Sequence, residues 1–317
     1  MASTASTRTL HDQTRAPNAT ARPAPVSVSF PAGHAHLAGS LYLPGRGEES
    51  AALPGVVVTG TWTSVKEQMA DRYAAKLAER GLAALSFDFT GFGVSGGEPR
   101  EVESPGLKAR DLHHATSFLC GHPAVDPDRV GAVEICASAG YAVANAVDDR
   151  RVGALALIAP WLHDADLVRE VYGEAGVRER IRAGEAARER YERTGVVEYV
   201  PVADADDPRA AMPMAIDFYR DPARGAIPGW PNRFAVMAWT EWLRFDPIAL
   251  APRVRVPTMI VHSDDAAIPD GARRFYEAMT CPKEIVWTKG NQFDFYDQEP
   301  AVTFAVDAAV AHLERHL

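Results

Sequence analysis

The stretch Ile135-Cys-Ala-Ser-Ala-Gly-Tyr141 sets a serine, Ser138, between two small residues where an apolar run gives way to a helical pattern. A hydroxyl presented by such a strand-to-helix turn can attack a carbonyl carbon, provided that a base takes its proton. The structural alternative is a buried serine capping a helix. Cys136 is the lesser candidate nucleophile, because it falls on the strand and no activating base stands near it in the sequence. The chemistry therefore turns on which elements surround Ser138 and what they bring to it.

Apolar runs and amphipathic stretches alternate along most of the chain. "VSVSF" and "LAGSLYLP" form a hairpin pattern with a Gly/His turn. They are followed by the buried strand "GVVVTG" (55–60), a helix over 66–81 and the strand "LAALSFDF" (82–89). A helix over about 104–120, the strand "RVGAVEIC" (129–136), a helix from about 139 and the strand "VGALALIAP" (152–160) continue the series. It resumes with "VPTMIVHS" (256–263), a helix over 269–280, "KEIVWTKG" (283–290) and a last helix over 300–316. Such alternation predicts a parallel sheet with right-handed crossovers and helices on both faces. Between 161 and 245 the pattern breaks into charged helical stretches and an aromatic, proline-bearing segment, which reads as an insertion over the sheet.

At 317 residues, 47% hydrophobic and 24% charged, the chain can bury one large core plus a smaller insertion. A net charge of −9 without any Lys/Arg run argues against nucleic acid as a partner. Cys120, Cys136 and Cys281 cannot all pair and show no metal-ligand spacing, so a reducing cytoplasm is expected and neither a metal nor a cofactor is. Residues 1–25 have the composition of a frayed tail and lack the apolar segment of a signal peptide. No apolar run of about 18 residues points to a membrane span.

In an open parallel sheet ligands gather at the carboxyl ends of the strands. The residues found there are "TGTWTSVKEQ" after the third strand, "DFTGFGVSGG" after the fourth, "CASAGY" after the fifth, "WLHDAD" after the sixth, "SDDAAIP" after the seventh and "NQFDFYD" after the eighth. In this order the chain resembles the α/β-hydrolase superfamily, and within it the dienelactone-hydrolase-like or peptidase-like bacterial branch with an inserted cap. The resemblance covers essentially everything from residue 26 onward. It implies an α/β fold with a mostly parallel twisted sheet, helices on both faces, a core of 26–160 and 246–317, and a helical cap over 161–245.

The resemblance also implies roles. Cys136-Ala-Ser-Ala-Gly140 is similar to the G-x-S-x-G elbow, with Ser138 as nucleophile and Cys136 at the first glycine. The oxyanion hole would use the amides of Ala139 and Thr61, with Trp62 as second choice for the latter. The fourth-strand loop would be structural. Counting back from Pro269 makes Asp265 the acid, although counting forward from Ser263 selects Ala266, and Asp264 is the alternative. Where the family places its histidine, in Gly290-Asn-Gln-Phe-Asp-Phe-Tyr-Asp297, Gln292 stands. An amide cannot serve as a general base near neutral pH.

Three accounts of the missing base remain open. His163 or His262, the two of ten histidines on the active rim, supplies it; or the scaffold serves cyclisation, lyase or isomerase chemistry, or binding; or Gln292 is itself an inactivating replacement. Aromatic residues Tyr219, Trp230, Phe234, Trp239 and Trp242 in the insertion, together with Trp62 and Tyr141, offer an apolar pocket. Trp62, Tyr141, Tyr219 and Trp239 are the expected substrate contacts, with simple core packing as the competing role. The expectation is an enzyme acting through Ser138 on an ester, lactone or thioester of an apolar acid, with no metal. The alternatives are a non-hydrolytic enzyme of the same fold, for example in secondary metabolism, or a silent ligand-binding protein. The partner is a small-molecule carbonyl compound, with neither nucleic acid nor membrane, and the oligomeric state is open, a homodimer being compatible.

Overall fold

The computed structural model describes residues 24–45 and 52–317, so nearly all of the tail expected over 1–25 lies outside the described residues. The eight long strands are β1 (Val26–Ala32), β2 (Ala35–Tyr42), β3 (Leu53–Thr59), β4 (Ala83–Phe87), β5 (Val125–Ile135), β6 (Val152–Ile158), β9 (Thr258–Ser263) and β10 (Lys283–Thr288). Between β6 and β9 two short strands, β7 (Tyr199–Val200) and β8 (Phe234–Ala235), pair antiparallel in a sheet of their own. The main sheet runs β1-β2-β4-β3-β5-β6-β9-β10, antiparallel for its first two pairings and parallel from β4 onward. Val56, Val57 and Val58 in β3 and Leu155 to Ile158 in β6 are at most 1% exposed. Strands apolar on both faces are stable only when both faces are covered.

Helices supply that cover. On one face α1 (Ala70–Ala78) packs against α10 (Ala301–His316), and on the other α2 (Pro105–Cys120) packs against α3 (Ser138–Asp148). α8 (Pro269–Ala278) packs on β9 and β10, and a single helical turn, α9 (Asp294–Asp297), precedes α10. Ser104 caps α2 by accepting from the Leu107 amide. The helix expected over 66–81 divides into a 3-10 turn at Lys66–Gln68 and α1, because Met69 takes a non-helical conformation (φ −152°) between them.

The segment between β6 and β9 contains α4 (Ala165–Tyr172), α5 (Glu174–Thr194), α6 (Asp217–Arg220) and α7 (Trp239–Arg244). α5 carries the charged stretch, and only its Gly184 and Ala187 are buried. Strand order turns back between β3 and β5, since β4 lies on one side of β3 and β5 on the other. A crevice at that turn is where ligands are expected in this architecture. No helix among the described residues is long and apolar enough to cross a membrane.

Candidate active site

The crevice is a cleft of about 490 Å³. Its floor comes from the strand ends, through Thr61, Trp62, Cys136, Ala137, Gln292 and Tyr296. Its walls come from the inserted segment, through Tyr172, Arg180, Met212, Ile216, Tyr219 and Trp242. A second hollow of about 380 Å³, between α4, α5 and α7, shares no residue with it.

At the strand-to-helix turn the residue in the left-handed region is Cys136 (φ 62°). Such a conformation costs a non-glycine residue roughly 1–3 kcal/mol. Backbone hydrogen bonds on both sides hold it: Cys136 N donates to Ile158 O at 3.0 Å, and Cys136 O accepts from Trp161 N at 2.9 Å and Ala139 N at 3.3 Å. Gly140 lets α3 seat deeply, since a Cβ there would lie 2.9 Å from the Phe245 ring. The strain presents the Cys136 thiol to the cleft.

Ser138 is not presented. It is fully buried, with its hydroxyl 3.1 Å from both Thr59 O and Ile135 O, and it does not line the cleft. At about 100° of helical rotation per residue, two positions past the tip a side chain points to the opposite side. The elbow frame is therefore two residues earlier than the serine suggests, with Glu134 and Ser138 in the flanking places and Cys136 at the tip. Glu134 is fully buried and receives the Thr59 hydroxyl. Burial pushes its carboxyl up to about 8, against the lowering effect of the Thr59 and Ser138 hydroxyls.

The Thr61 and Tyr296 hydroxyls and the backbone amides of Ala137 and Trp62 lie close enough to the Cys136 sulfur to favour its thiolate. Burial raises the thiol above its ordinary range, and these four groups offset that in part. The Ala139 amide, expected in an oxyanion hole, is committed to Cys136 O inside the turn. Thr61 contributes its hydroxyl, and the amide from that loop is that of Trp62, the second choice. The loop is fixed from below, because Thr63 (φ 56°) donates its amide to Glu103 Oε2 at 2.8 Å. Glu103 also pairs with buried Lys108 at 2.8 Å and accepts from the Tyr141 hydroxyl at 2.5 Å. From above, Trp230 Nε1 donates to Thr63 O at 3.0 Å and Gln68 Nε2 to Gly225 O at 2.6 Å.

Gln292 does reach the cleft. Its Nε2 donates to Ala159 O at 2.9 Å and to the Tyr296 hydroxyl at 3.3 Å, while its Oε1 accepts from the Ala267 amide at 3.0 Å. Tyr296 in turn lies 3.1 Å from the Thr61 hydroxyl. A chain of neutral groups thus leads from Ala267 through Gln292 and Tyr296 to the sulfur. Tyr219 lines the cleft. Burial raises both the Tyr219 and Tyr296 hydroxyls far above their usual range, so neither is a base.

The other expected site residues lie elsewhere. Asp265 and Asp264 are exposed, the latter paired with Arg273; the loop turns them outward and offers Gln292 a backbone amide instead. His163 is buried, with Nδ1 accepting from Trp161 Nε1 at 2.9 Å and Nε2 at 3.1 Å from Trp242 O. Desolvation pushes it down to about 4, which keeps it neutral. His262 is buried in β9 against Trp287, and burial lowers it as well. Tyr141 is spent on Glu103, and Trp239 sits in a second layer behind Trp62 and Tyr172. Sequence reasoning missed Tyr296 and Ala137. The position directly after the last strand residue, Ile135, was the signal that could have found the elbow tip.

The sequence model described as the alpha/beta hydrolase family matches residues 53–306. Similar proteins include the uncharacterized protein YcjY of Escherichia coli, 28% identical over 298 residues, which cover 89% of this chain and 94% of that one. Polyketide transferase ATR5 of Stachybotrys chlorohalonatus is 28% identical over 242 residues, 74% of this chain and 79% of its own. Thiohydrolase aneE of Aspergillus aculeatus is 25% identical over 264 residues, 78% and 80% respectively. Among solved structures, the hypothetical protein PA2218 from Pseudomonas aeruginosa superposes with a TM-score of 0.80 at 24% identity over 94% of this chain and 95% of that one, a likeness of fold. With its sheet order, its strained elbow and a match spanning 53–306, the chain belongs to the alpha/beta hydrolase family.

Proposed function

We propose that the protein is an acyl-transferring enzyme that takes an acyl group from a thioester onto Cys136. The observation that carries this reading is the elbow. Of the two candidate nucleophiles, Cys136 holds the positive φ, opens onto the cleft and has the Ala137 and Trp62 amides beside its sulfur. Those amides are the donors that would receive the charge of a tetrahedral intermediate.

The substrate class follows from leaving-group chemistry. A buried thiol without an imidazole or carboxylate beside it cannot readily expel an alkoxide. Exchange with a thioester is nearly balanced, because the bond made and the bond broken are both C–S. The Cys136 sulfur attacks the carbonyl carbon, the C–S bond to the leaving thiol breaks, and the Cys136 proton ends on that thiol. The Thr61 and Tyr296 hydroxyls, 3.1 Å apart, offer a relay for it. An acceptor thiol or amine then attacks the acyl-cysteine and bonds to its carbonyl carbon, the C–S bond to Cys136 breaks, and the acceptor's proton ends on the Cys136 sulfur.

Hydrolysis would need a base to deprotonate water, and Gln292, engaged through both its oxygen and its nitrogen, offers none. Release by transfer to an acceptor is therefore favoured over release to water. The relatives named thiohydrolase and polyketide transferase support thioester chemistry of this kind.

The test is intact-protein mass spectrometry after incubation with octanoyl-N-acetylcysteamine. One octanoyl adduct is expected on the parent chain and on Ser138→Ala, and none on Cys136→Ala. An adduct that survives in Cys136→Ala and disappears in Ser138→Ala would restore the serine and overturn the reading. The absence of a charged base beside the sulfur also favours a second reading, a silent ligand-binding protein. Saturable binding of the thioester without any adduct would select it.

A further inference from the structure

Of the nineteen residues lining the cleft, one carries a charge: Arg180, on α5. Its guanidinium lies 5.0 Å from the Tyr172 ring centre and 5.2 Å from that of Trp239, and its Nη1 reaches Gly176 O at 3.3 Å. It forms no ion pair among the described residues. Other arginines of the inserted segment do: Arg178 with Glu174 at 2.9 Å, Arg188 with Glu241 at 2.8 Å and Arg244 with Glu185 at 2.9 Å. The helix provides Arg180 no partner either, since the positions three and four residues away are Gly176, Val177, Ala183 and Gly184.

A half-buried cation held against two aromatic faces, beside a mainly apolar cavity, is an incomplete pair. Its stems and rings fix the fork, and the fork matches the two oxygens of a carboxylate or phosphate. Two residues lining the cleft, Trp62 and Trp242, also carry buried indole N–H groups without a hydrogen-bond partner. The polar ends of the cavity are thus the Cys136 floor and the Arg180 wall, with Met212, Ile216 and Tyr219 among the residues between.

We propose that the cleft selects acyl compounds bearing an anionic group, which docks on Arg180 while the reacting carbonyl sits over Cys136. This rests on the thioester reading for the orientation of the ligand, but not for the anion site itself. The anion can come from two sources: a carboxylate on the acyl chain, or the phosphates of the carrier from which the acyl group arrives.

Affinities measured by tryptophan fluorescence with two matched pairs separate the cases. Octanoyl-4′-phosphopantetheine and octanoyl-pantetheine differ in the phosphate; monomethyl and dimethyl nonanedioate differ in one carboxylate. Measurements in the Cys136→Ala background exclude acylation from the signal. At least one anionic probe should bind tenfold or more tightly than its neutral twin, a gain of about 1.4 kcal/mol. Arg180→Gln should abolish that difference, Arg180→Lys should keep part of it, and the neutral twin should bind both variants as it binds the parent, which controls for folding. An advantage for the phosphopantetheine thioester assigns the phosphate, and one for the half-ester assigns a carboxylate. Equal affinities within both pairs, or an advantage that survives Arg180→Gln, would overturn the proposal. Because the nonanedioates carry no thioester, their result stands whether or not Cys136 can be acylated.

Discussion

The two halves of the cleft floor are built from the same kind of element, a loop following a parallel strand, yet they differ in chemistry. The half after β3 and β5 presents a strained cysteine and two backbone amides. The half after β9 and β10 presents an amide side chain, a phenol and the backbone of Ala267, while its carboxylates face solvent. Attack at a carbonyl needs only the first half; activating water needs the second. On the proposed reading, a site with one and not the other would form acyl-enzyme and lose it slowly to water.

Removing the first half should have the largest effect. Cys136→Ala should lower acylation by at least about 10³-fold, as expected when a nucleophile is lost. Ser138→Ala should stay within a fewfold of the parent and cost about 1 kcal/mol of stability, the worth of its hydrogen bond. Rebuilding the second half comes next. Gln292→His alone lacks an orienting carboxylate and should raise thioester hydrolysis less than tenfold. Joined with Ala267→Asp, whose backbone already touches residue 292, it should gain about 10²-fold or more. A full gain from the single variant would show that another group already orients the ring.

The sulfur also reports on its neighbours through pH. Burial raises the Cys136 thiol, so iodoacetamide labelling at this residue should climb about tenfold per pH unit beyond the ordinary thiol pKa of about 8.5. Tyr296→Phe should slow it a fewfold by removing a donor to the thiolate. A plateau near pH 7 would reveal a base that the geometry does not contain.

The smallest effect concerns the layer under the elbow. Glu134 is raised to about 8 in the fold from an ordinary 4.5. Between those values the unfolded chain releases a proton that the folded chain retains, so stability falls as pH rises across that window. Glu134→Gln should remove this loss, raising Tm by several degrees at pH 8.5 and leaving it nearly unchanged at pH 4.5. Equal shifts at both values would mean that packing, not charge, sets the difference.

Much of this molecule is written locally. The alternation of apolar strands and amphipathic helices gives the sheet, and the break over 161–245 falls where α4 to α7 and the two short strands interrupt it. The glutamine at 292 is also legible, because a single chemical fact separates an amide from an imidazole. The elbow frame was misread because small residues on both sides of Ser138 imitate the expected flanks, whereas the true frame tolerates Glu134 and Ser138 by burying them in mutual contact with Thr59. Counting along "SDDAAIP" could not reveal that its carboxylates turn outward. Trp239 and Tyr141 read as wall residues because composition does not distinguish a first layer of aromatics from the layer behind it. Tyr296 belongs to the site only through a fold that brings 61, 136 and 296 together.

The loop bearing the Trp62 amide is fastened to the segment above it by two hydrogen bonds, Trp230 to Thr63 and Gln68 to Gly225. Roof and Trp62 loop therefore share an energy well. Lifting the roof far enough to exchange ligands strains or breaks contacts worth about 1 kcal/mol each, and it loosens the Trp62 amide at the same moment. On the proposed reading, alignment is then conditional on enclosure: an acyl group would meet its full complement of donors only when the solvent that could intercept it has been shut out.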